Sequence, residues 1–248
     1  MQVEVFLTSA VLTDEDVKGR TVVVIDVLRA SSTIITALAN GVRAIVPVPD
    51  MAEAGKIASN LDPRSYLLGG ERGGERIDGY HLGNSPLEYD RATVEDRTII
   101  FNTTNGTVAI SRARPAEHLI IGSFLNADRV VQFVGDAGRD LTIVCAGWRN
   151  RVSLEDTLCA GLILSRLWEG QEPGLRSDTA HIAFTQYQHD KDNMMSSLRR
   201  CNHAQWLSSR GHHDDVEYCL QLDRLPVLPY FDDSRIVRFE AAHHVTAA

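Results

Sequence analysis

Five short polar clusters each follow an apolar run, and together they hold the groups that could do chemistry. They are Asp26/Arg29, Glu71/Arg72, Thr103/Thr104/Asn105, Ser123/Asn126, and the segment 147–156 with Arg149, Arg151, Glu155 and Asp156. Asp26, Glu71, Glu155 and Asp156 are carboxylates beside apolar runs. A hard divalent ion such as Mg2+ takes oxygen ligands and keeps some of its waters, so two or three of these acids suffice to hold it. The plainer reading of Glu155 and Asp156 is favourable charge in the first turn of a helix capped by Ser153.

The run Thr103-Thr104-Asn105-Gly106-Thr107 suits an oxyanion. Its hydroxyls donate, Gly106 lets backbone N–H groups turn inward, and a following helix N-terminus adds a favourable dipole. The plain alternative is an ordinary Asn-Gly turn. Arg29, Arg72, Arg76, Arg149 and Arg151 stand near the same loops. One or two forked guanidinium groups can clamp substrate anions there, with the others on the surface. His81, His181 and His203 can titrate near neutrality, but each reads as hydrogen-bonded or exposed rather than catalytic. No His-x-x-x-His or His-Glu-x-x-His spacing indicates zinc. No Gly-x-Gly-x-x-Gly or Walker run indicates a dinucleotide or ATP.

These clusters need strands to position them. Val22-Val23-Val24-Ile25 is a β-branched run suited to a strand buried on both faces of a parallel sheet. It ends at Asp26, with Arg29 at the mouth and Ser31 or Ser32 placed to cap a helix over 32–40. Other strands are predicted over 2–7, 44–48, 66–68, 98–102, 118–123, 141–147 and 235–239, with Pro47 suggesting an edge. Helices are predicted over 51–60, 108–113, 126–134, 154–169, 179–188, 193–210 and 214–222. Segment 69–86 is a glycine-rich polar loop that carries Asn84 and Ser85, 170–177 is a loop, and the tail is frayed. The strand–loop–helix alternation predicts the α/β class, layered α/β/α with a mostly parallel sheet. In such a sheet the polar clusters meet in one crevice at the strands' carboxyl ends. The 248 residues are expected to form one domain, with two closely packed lobes dividing near 120–140 as the variant.

Net charge of -8 argues against nonspecific nucleic-acid binding, and no apolar run is long enough to span a membrane. The chain enters a β pattern directly, without a secretory segment, and its four cysteines form no Cys-x-x-Cys pair. A reduced, cytoplasmic protein is expected. Cys145 and Cys159 read as buried small side chains rather than nucleophiles. A homodimer is the default expectation.

Several segments, taken in order, resemble the 2-phosphosulfolactate phosphatase family. They are Asp26-Val27-Leu28-Arg29-Ala30-Ser31, Gly70-Glu71-Arg72, Leu82-Gly83-Asn84-Ser85-Pro86, Thr103-Thr104-Asn105-Gly106-Thr107 and Gly122-Ser123-Phe124-Leu125-Asn126. Cys145-Ala146-Gly147 follows, then Glu155-Asp156 and Ala160-Gly161; the 215–222 stretch and Pro229 are similar but less diagnostic. The resemblance implies a Mg2+-dependent phosphatase that converts (2R)-2-phospho-3-sulfolactate to 3-sulfolactate and phosphate. In methanogens that step leads toward coenzyme M, and bacteria also have members.

So small a polyanion needs several donors and cations. On this reading Asp26, Arg29, Glu71 and Asn105 are catalytic, and Mg2+ bridges Asp26 and one or more of Glu71, Glu155 and Asp156 to a phosphoryl oxygen. Thr104, Asn105 and nearby N–H groups hold equatorial oxygens, Arg29 neutralises developing charge, and Arg72 or Arg149 reads sulfonate or carboxylate. Ser31, Asn84, Ser85, Thr103, Gly106, Thr107, Ser123 and Asn126 complete the expected substrate contacts. Two mechanisms stay open. Activated water can attack in line, which is preferred because Asp26 lacks an Asp-x-Asp partner; or Asp26 can attack and form an aspartyl-phosphate. The functional alternatives are a phosphatase for another small phosphorylated hydroxy acid, and a non-catalytic polyanion-binding protein. A structural subunit is a third, which the intact polar loops weigh against.

Overall fold

The β-branched runs form ten strands in the computed structural model, which describes residues 1–169 and 177–240. They are β1 (Val3–Phe6), β2 (Thr21–Ile25), β3 (Ala44–Pro47), β4 (Tyr66–Arg72), β5 (Glu75–Arg76), β6 (Thr98–Asn102), β7 (His118–Gly122), β8 (Leu141–Cys145), β9 (Pro229–Asp232) and β10 (Arg235–Arg238). Between them run α1 (Ala30–Ala39), α2 (Met51–Ala58), α3 (Arg91–Val94), α4 (Gly106–Arg112), α5 (Ala127–Ala137), α6 (Leu154–Leu167), α7 (Asp178–Asp190), α8 (Met194–Arg199), α9 (Asn202–Ser208) and α10 (His213–Cys219). The fold is α/β, a mixed, mostly parallel central sheet flanked by helices. The predicted 170–177 loop, apart from Ser177, and the tail beyond 240 lie outside the described residues. Among the described residues no helix is long and apolar enough to cross a membrane.

The sheet order is β1-β8-β2-β7-β9-β10-β3-β6-β4-β5. β2 pairs in parallel with β8 on one side and β7 on the other. Val22 and Val24 pack into one core with Ile34 and Ile110, while Val23 and Ile25 face a second core with Val130 and Ile163. Burial on both faces is why the run contains no polar residue.

The expectation of one crevice along a single parallel edge needs correction. β1, β8, β2 and β7 form one parallel run, and β3, β6 and β4 form another. The antiparallel β9–β10 hairpin lies between them, and its pairing to β7 and to β3 is antiparallel as well. Three antiparallel steps reverse the sense, so the two runs point in opposite directions. A flat sheet would put their carboxyl ends on opposite edges, yet Gly106 after β6 packs against Asp26 after β2. The sheet is therefore not flat, and at the hairpin its pairing is a single register pair on each flank, Ile120 with Tyr230 and Ile236 with Ile45.

Local differences have local causes. α1 starts at Ala30 with Arg29 as its cap, so Ser31 and Ser32 fall inside the first turn. Ser31 Oγ accepts the Asp26 N–H at 2.8 Å and Ser32 Oγ donates to the Val27 carbonyl at 2.8 Å, which binds the turn instead of capping the helix. The Leu28–Arg29 peptide in this turn is cis. β3 is interior, and Pro47 is tolerated because it is the strand's last residue. The 66–68 strand continues to Arg72, and the expected 193–210 helix breaks into α8 and α9. At that break Cys201 Sγ accepts the Ala204 N–H at 3.4 Å, a local cap that competes with helix continuation. Ser153 stands at the cap position of α6 without a side-chain capping bond.

Candidate active site

Asp26 closes β2 and is 7% exposed. Its Oδ1 accepts the Ala30 N–H at 3.3 Å. Burial pushes its pKa up to about 7, the nearby His203 pulls it back, and Glu71 pushes it further up. A Cβ on Gly106 would stand 2.5 Å from the Ala30 Cβ and 2.8 Å from Asp26 Oδ2. Only glycine lets the β6–α4 turn approach this carboxylate so closely.

Glu71, near the end of β4, accepts the Thr104 N–H at 2.7 Å, the Gly74 N–H at 2.9 Å and the Thr104 hydroxyl at 3.2 Å. The donors on Thr104 that would serve an oxyanion are thus engaged by a tethered carboxylate. Thr103 and Thr107 turn to each other: each backbone N–H donates to the other's Oγ1 at 3.1 Å. Asn105 caps α4 without a side-chain capping bond, and its side chain lines the cavity.

Arg29 is 3% exposed and doubly held. It donates to Asp215 Oδ2 at 2.5 Å and to the Gly74 carbonyl at 2.8 Å. Asp215 also accepts the Ser85 hydroxyl at 2.5 Å and faces His212 Nδ1 at 3.4 Å. Ser85 therefore reaches the site through Asp215, while Asn84 lines it directly. Arg149, with φ 54°, lies over the Trp148 ring at 4.4 Å and near the Trp206 ring at 5.8 Å. Trp148 stacks on His203 with ring centroids 4.8 Å apart, and His203 Nδ1 meets Glu155 Oε1 at 2.8 Å.

The remaining candidates are placed elsewhere. Asp156 accepts the Val27 N–H at 2.9 Å and the Gly147 N–H at 3.1 Å, which ties the ends of β2 and β8 together. Burial, with Glu155 and Asp26 nearby, pushes its pKa well above the usual carboxylate range. Ser123 and Asn126 form a capping box, and the Asn126 amide donates to the carbonyls of Ile121 and Val227 at 3.1 and 3.0 Å. Arg72 is exposed and donates to the Glu71 carbonyl at 3.1 Å.

Around these groups lies a cavity of about 200 Å³, lined in part by Asp26, Arg29, Glu71, Asn84, Thr104, Asn105 and Arg149. The structure brings these seven together. It adds His203, Trp148 and Trp206 to the wall, and Asp215 behind Arg29. In the sequence His203 reads as hydrogen-bonded or exposed rather than catalytic, and Asp215 is one residue of a stretch of family likeness. Among the described residues no group of three or more His, Cys, Asp or Glu side chains is arranged to hold a metal ion. Asp26 and Glu71 nevertheless face one cavity and feel each other's charge. That suits an ion such as Mg2+, which takes one or two carboxylates, keeps waters and meets substrate oxygens. Glu155 and Asp156 do not line this cavity; Glu71 does, although both its oxygens also accept hydrogen bonds from Thr104 and Gly74. Cys145 and Cys159 are fully buried, and burial pushes both thiols up, away from thiolate chemistry.

The model of the 2-phosphosulpholactate phosphatase family matches residues 6–234. A probable 2-phosphosulfolactate phosphatase of Symbiobacterium thermophilum is 42% identical over 226 residues, covering 91% of this chain and 97% of that protein. Another probable 2-phosphosulfolactate phosphatase, from Caldanaerobacter subterraneus subsp. tengcongensis, is 36% identical over 229 residues, 92% of this chain and 95% of the relative. One from Clostridium novyi is 36% identical over 238 residues, 96% of this chain and all of the relative. The polar segments that converge on Asp26 and Arg29 lie inside this matched span, and the chain belongs to the 2-phosphosulfolactate phosphatase family.

Proposed function

We propose that this protein hydrolyses (2R)-2-phospho-3-sulfolactate to 3-sulfolactate and inorganic phosphate with the help of Mg2+. Family membership supports a phosphatase-like hydrolase. The observation that carries the finer reading is the cavity in which the buried carboxylate of Asp26 meets Arg29, Asn105 and Arg149. A carboxylate in that position can align an attacking water for in-line displacement. In-line water attack is the preferred mechanism, with attack by Asp26 as the runner-up.

Asp26 and Glu71 would hold Mg2+, which when bound neutralises charge on the phosphoryl oxygens. Arg29 is fixed by Asp215 and the Gly74 carbonyl, so its remaining N–H groups are oriented before substrate arrives. The Asn105 amide offers a neutral donor to an equatorial oxygen. His203, held at Nδ1 by Glu155, stands at the cavity wall to pass a proton to the leaving alkoxide.

The deciding experiment is phosphate release from phosphosulfolactate, phospholactate and phosphoglycerates, each with and without Mg2+. Fastest, Mg2+-dependent release from phosphosulfolactate is expected. Faster release from another ester would transfer the reading to that hydroxy acid, and no release from any would end the enzyme reading.

A further inference from the structure

A second cavity, of about 600 Å³, adjoins the first across Trp148, Arg149 and His203, which line both. Its other walls include Arg151, Arg200 and Glu155. Three arginines thus line this cavity beside a single carboxylate. Arg200 spends one N–H on the Ser196 carbonyl at 3.1 Å, and among the described residues none of the three arginines pairs with a carboxylate. Glu155 Oε2 is buried there without a hydrogen-bond partner. A third cavity, on the other side of Arg29, has its arginines offset: Arg76 shares it with Glu75 and Glu88, and Arg29 is already paired with Asp215. Surplus positive charge therefore lies on the Trp148 side alone.

We propose that the Arg149–Arg151–Arg200 cavity is the subsite for the anionic end of the leaving group, with Arg151 and Arg200 as its specificity-determining residues. The inference rests on the phosphatase reading only for the identity of that anion. A phosphomonoester would place phosphorus beside Asp26 and its bridging oxygen at the Trp148–His203 partition. Its sulfonate would then reach Arg151 and Arg200, and its carboxylate Arg149. Guanidinium forks match both groups, and a Trp face beside Arg149 shields the pairing from water. Arg149 borders both cavities and orients the ester between them. Arg151 and Arg200 line only the second, so they read the leaving group without contacting the phosphoryl group.

The test is calorimetric binding of 3-sulfolactate and of lactate, which lacks the sulfonate, to the intact protein, to Arg151→Gln, to Arg200→Gln and to the double variant. Both arginines are exposed, so the variants should fold, and unchanged thermal unfolding verifies this. Arg91→Gln, at an exposed arginine paired with Glu95, serves as the control for general loss of charge. Each site variant should weaken sulfolactate about tenfold and lactate less than about twofold, the size of a lost charge-assisted contact. The control should bind as the parent does. Equal sulfolactate affinity in the double variant and the parent would overturn the proposal, as would failure of the parent to bind sulfolactate. Phosphate release is read separately. Arginine-dependent sulfolactate binding without turnover sustains the subsite and removes the phosphatase reading; turnover with arginine-independent binding does the reverse.

Discussion

In the metal-free protein Asp26 lowers stability at neutral pH. Its folded pKa of about 7 lies above the ordinary 3.8, so between those values the folded protein holds a proton that the unfolded chain has released. Stability must fall as pH rises through that window and level off above it. Asp26→Asn removes the loss. It should be more stable than the parent by about 2–4 kcal/mol at pH 8, match it near pH 4, and lack turnover. Urea unfolding at the two pH values, beside phosphate release, checks all three. Glu71 invites a second measurement. Its carboxylate occupies the Thr104 donors, so free phosphate must displace a tethered rival. In the absence of Mg2+, phosphate should bind weakly, and Glu71→Ala should tighten that binding several-fold by calorimetry even as it lowers turnover. That Asp26, Arg29, Glu71 and Asn105 would meet was legible in the sequence because each lies at or just past the end of a strand with a clear apolar run. His203 and Asp215 were not. Their partners Glu155 and Arg29 lie 48 and 186 residues away, and no local spacing encodes such pairs.

At the level of elements, hydrophobic pattern located strands and helices well and missed where polar side chains redirect the backbone. β6 matches its predicted span because Ile99, Ile100 and Phe101 are fully packed. The 193–210 helix divides because Cys201 offers a cap that periodicity does not register, and the division puts His203 in the first turn of α9, stacked on Trp148. Pro47 misled for a related reason: proline excludes an interior strand position only where its N–H is needed. The β6–α4 turn is the most constrained of these elements. Gly106→Ala would force its new methyl into Ala30 and Asp26. Stability should drop by about 1–3 kcal/mol, the usual penalty for overpacking. Because Asp26 is displaced as well, kcat/KM should fall about tenfold or more. Thermal unfolding and steady-state kinetics separate the two effects.

Across the whole molecule, the α/β class was legible from alternation, whereas the reversal of sense between the two parallel runs was not. Strand direction is fixed by which strands pair, and the β9–β10 hairpin that sets it comes from the end of the chain. Ile236 is fully buried and provides the single register pair to β3. Ile236→Ala should cost about 2–5 kcal/mol and shift the urea midpoint of activity and of far-UV circular dichroism together if the runs separate only on global unfolding. The two cavities also divide the chain between them. Apart from the shared wall and the α9 residues, the phosphate-side lining comes from residues 26–105, whereas the arginine cavity is built wholly from 148–155 and 200–203. On the two-cavity reading, substrate range can drift during evolution through changes confined to 150–154 and 200–202, two short segments that leave Asp26, Arg29, Glu71, Asn105, Glu155 and His203 unchanged. Grafting both segments from a relative with a different ester preference should move that preference with them.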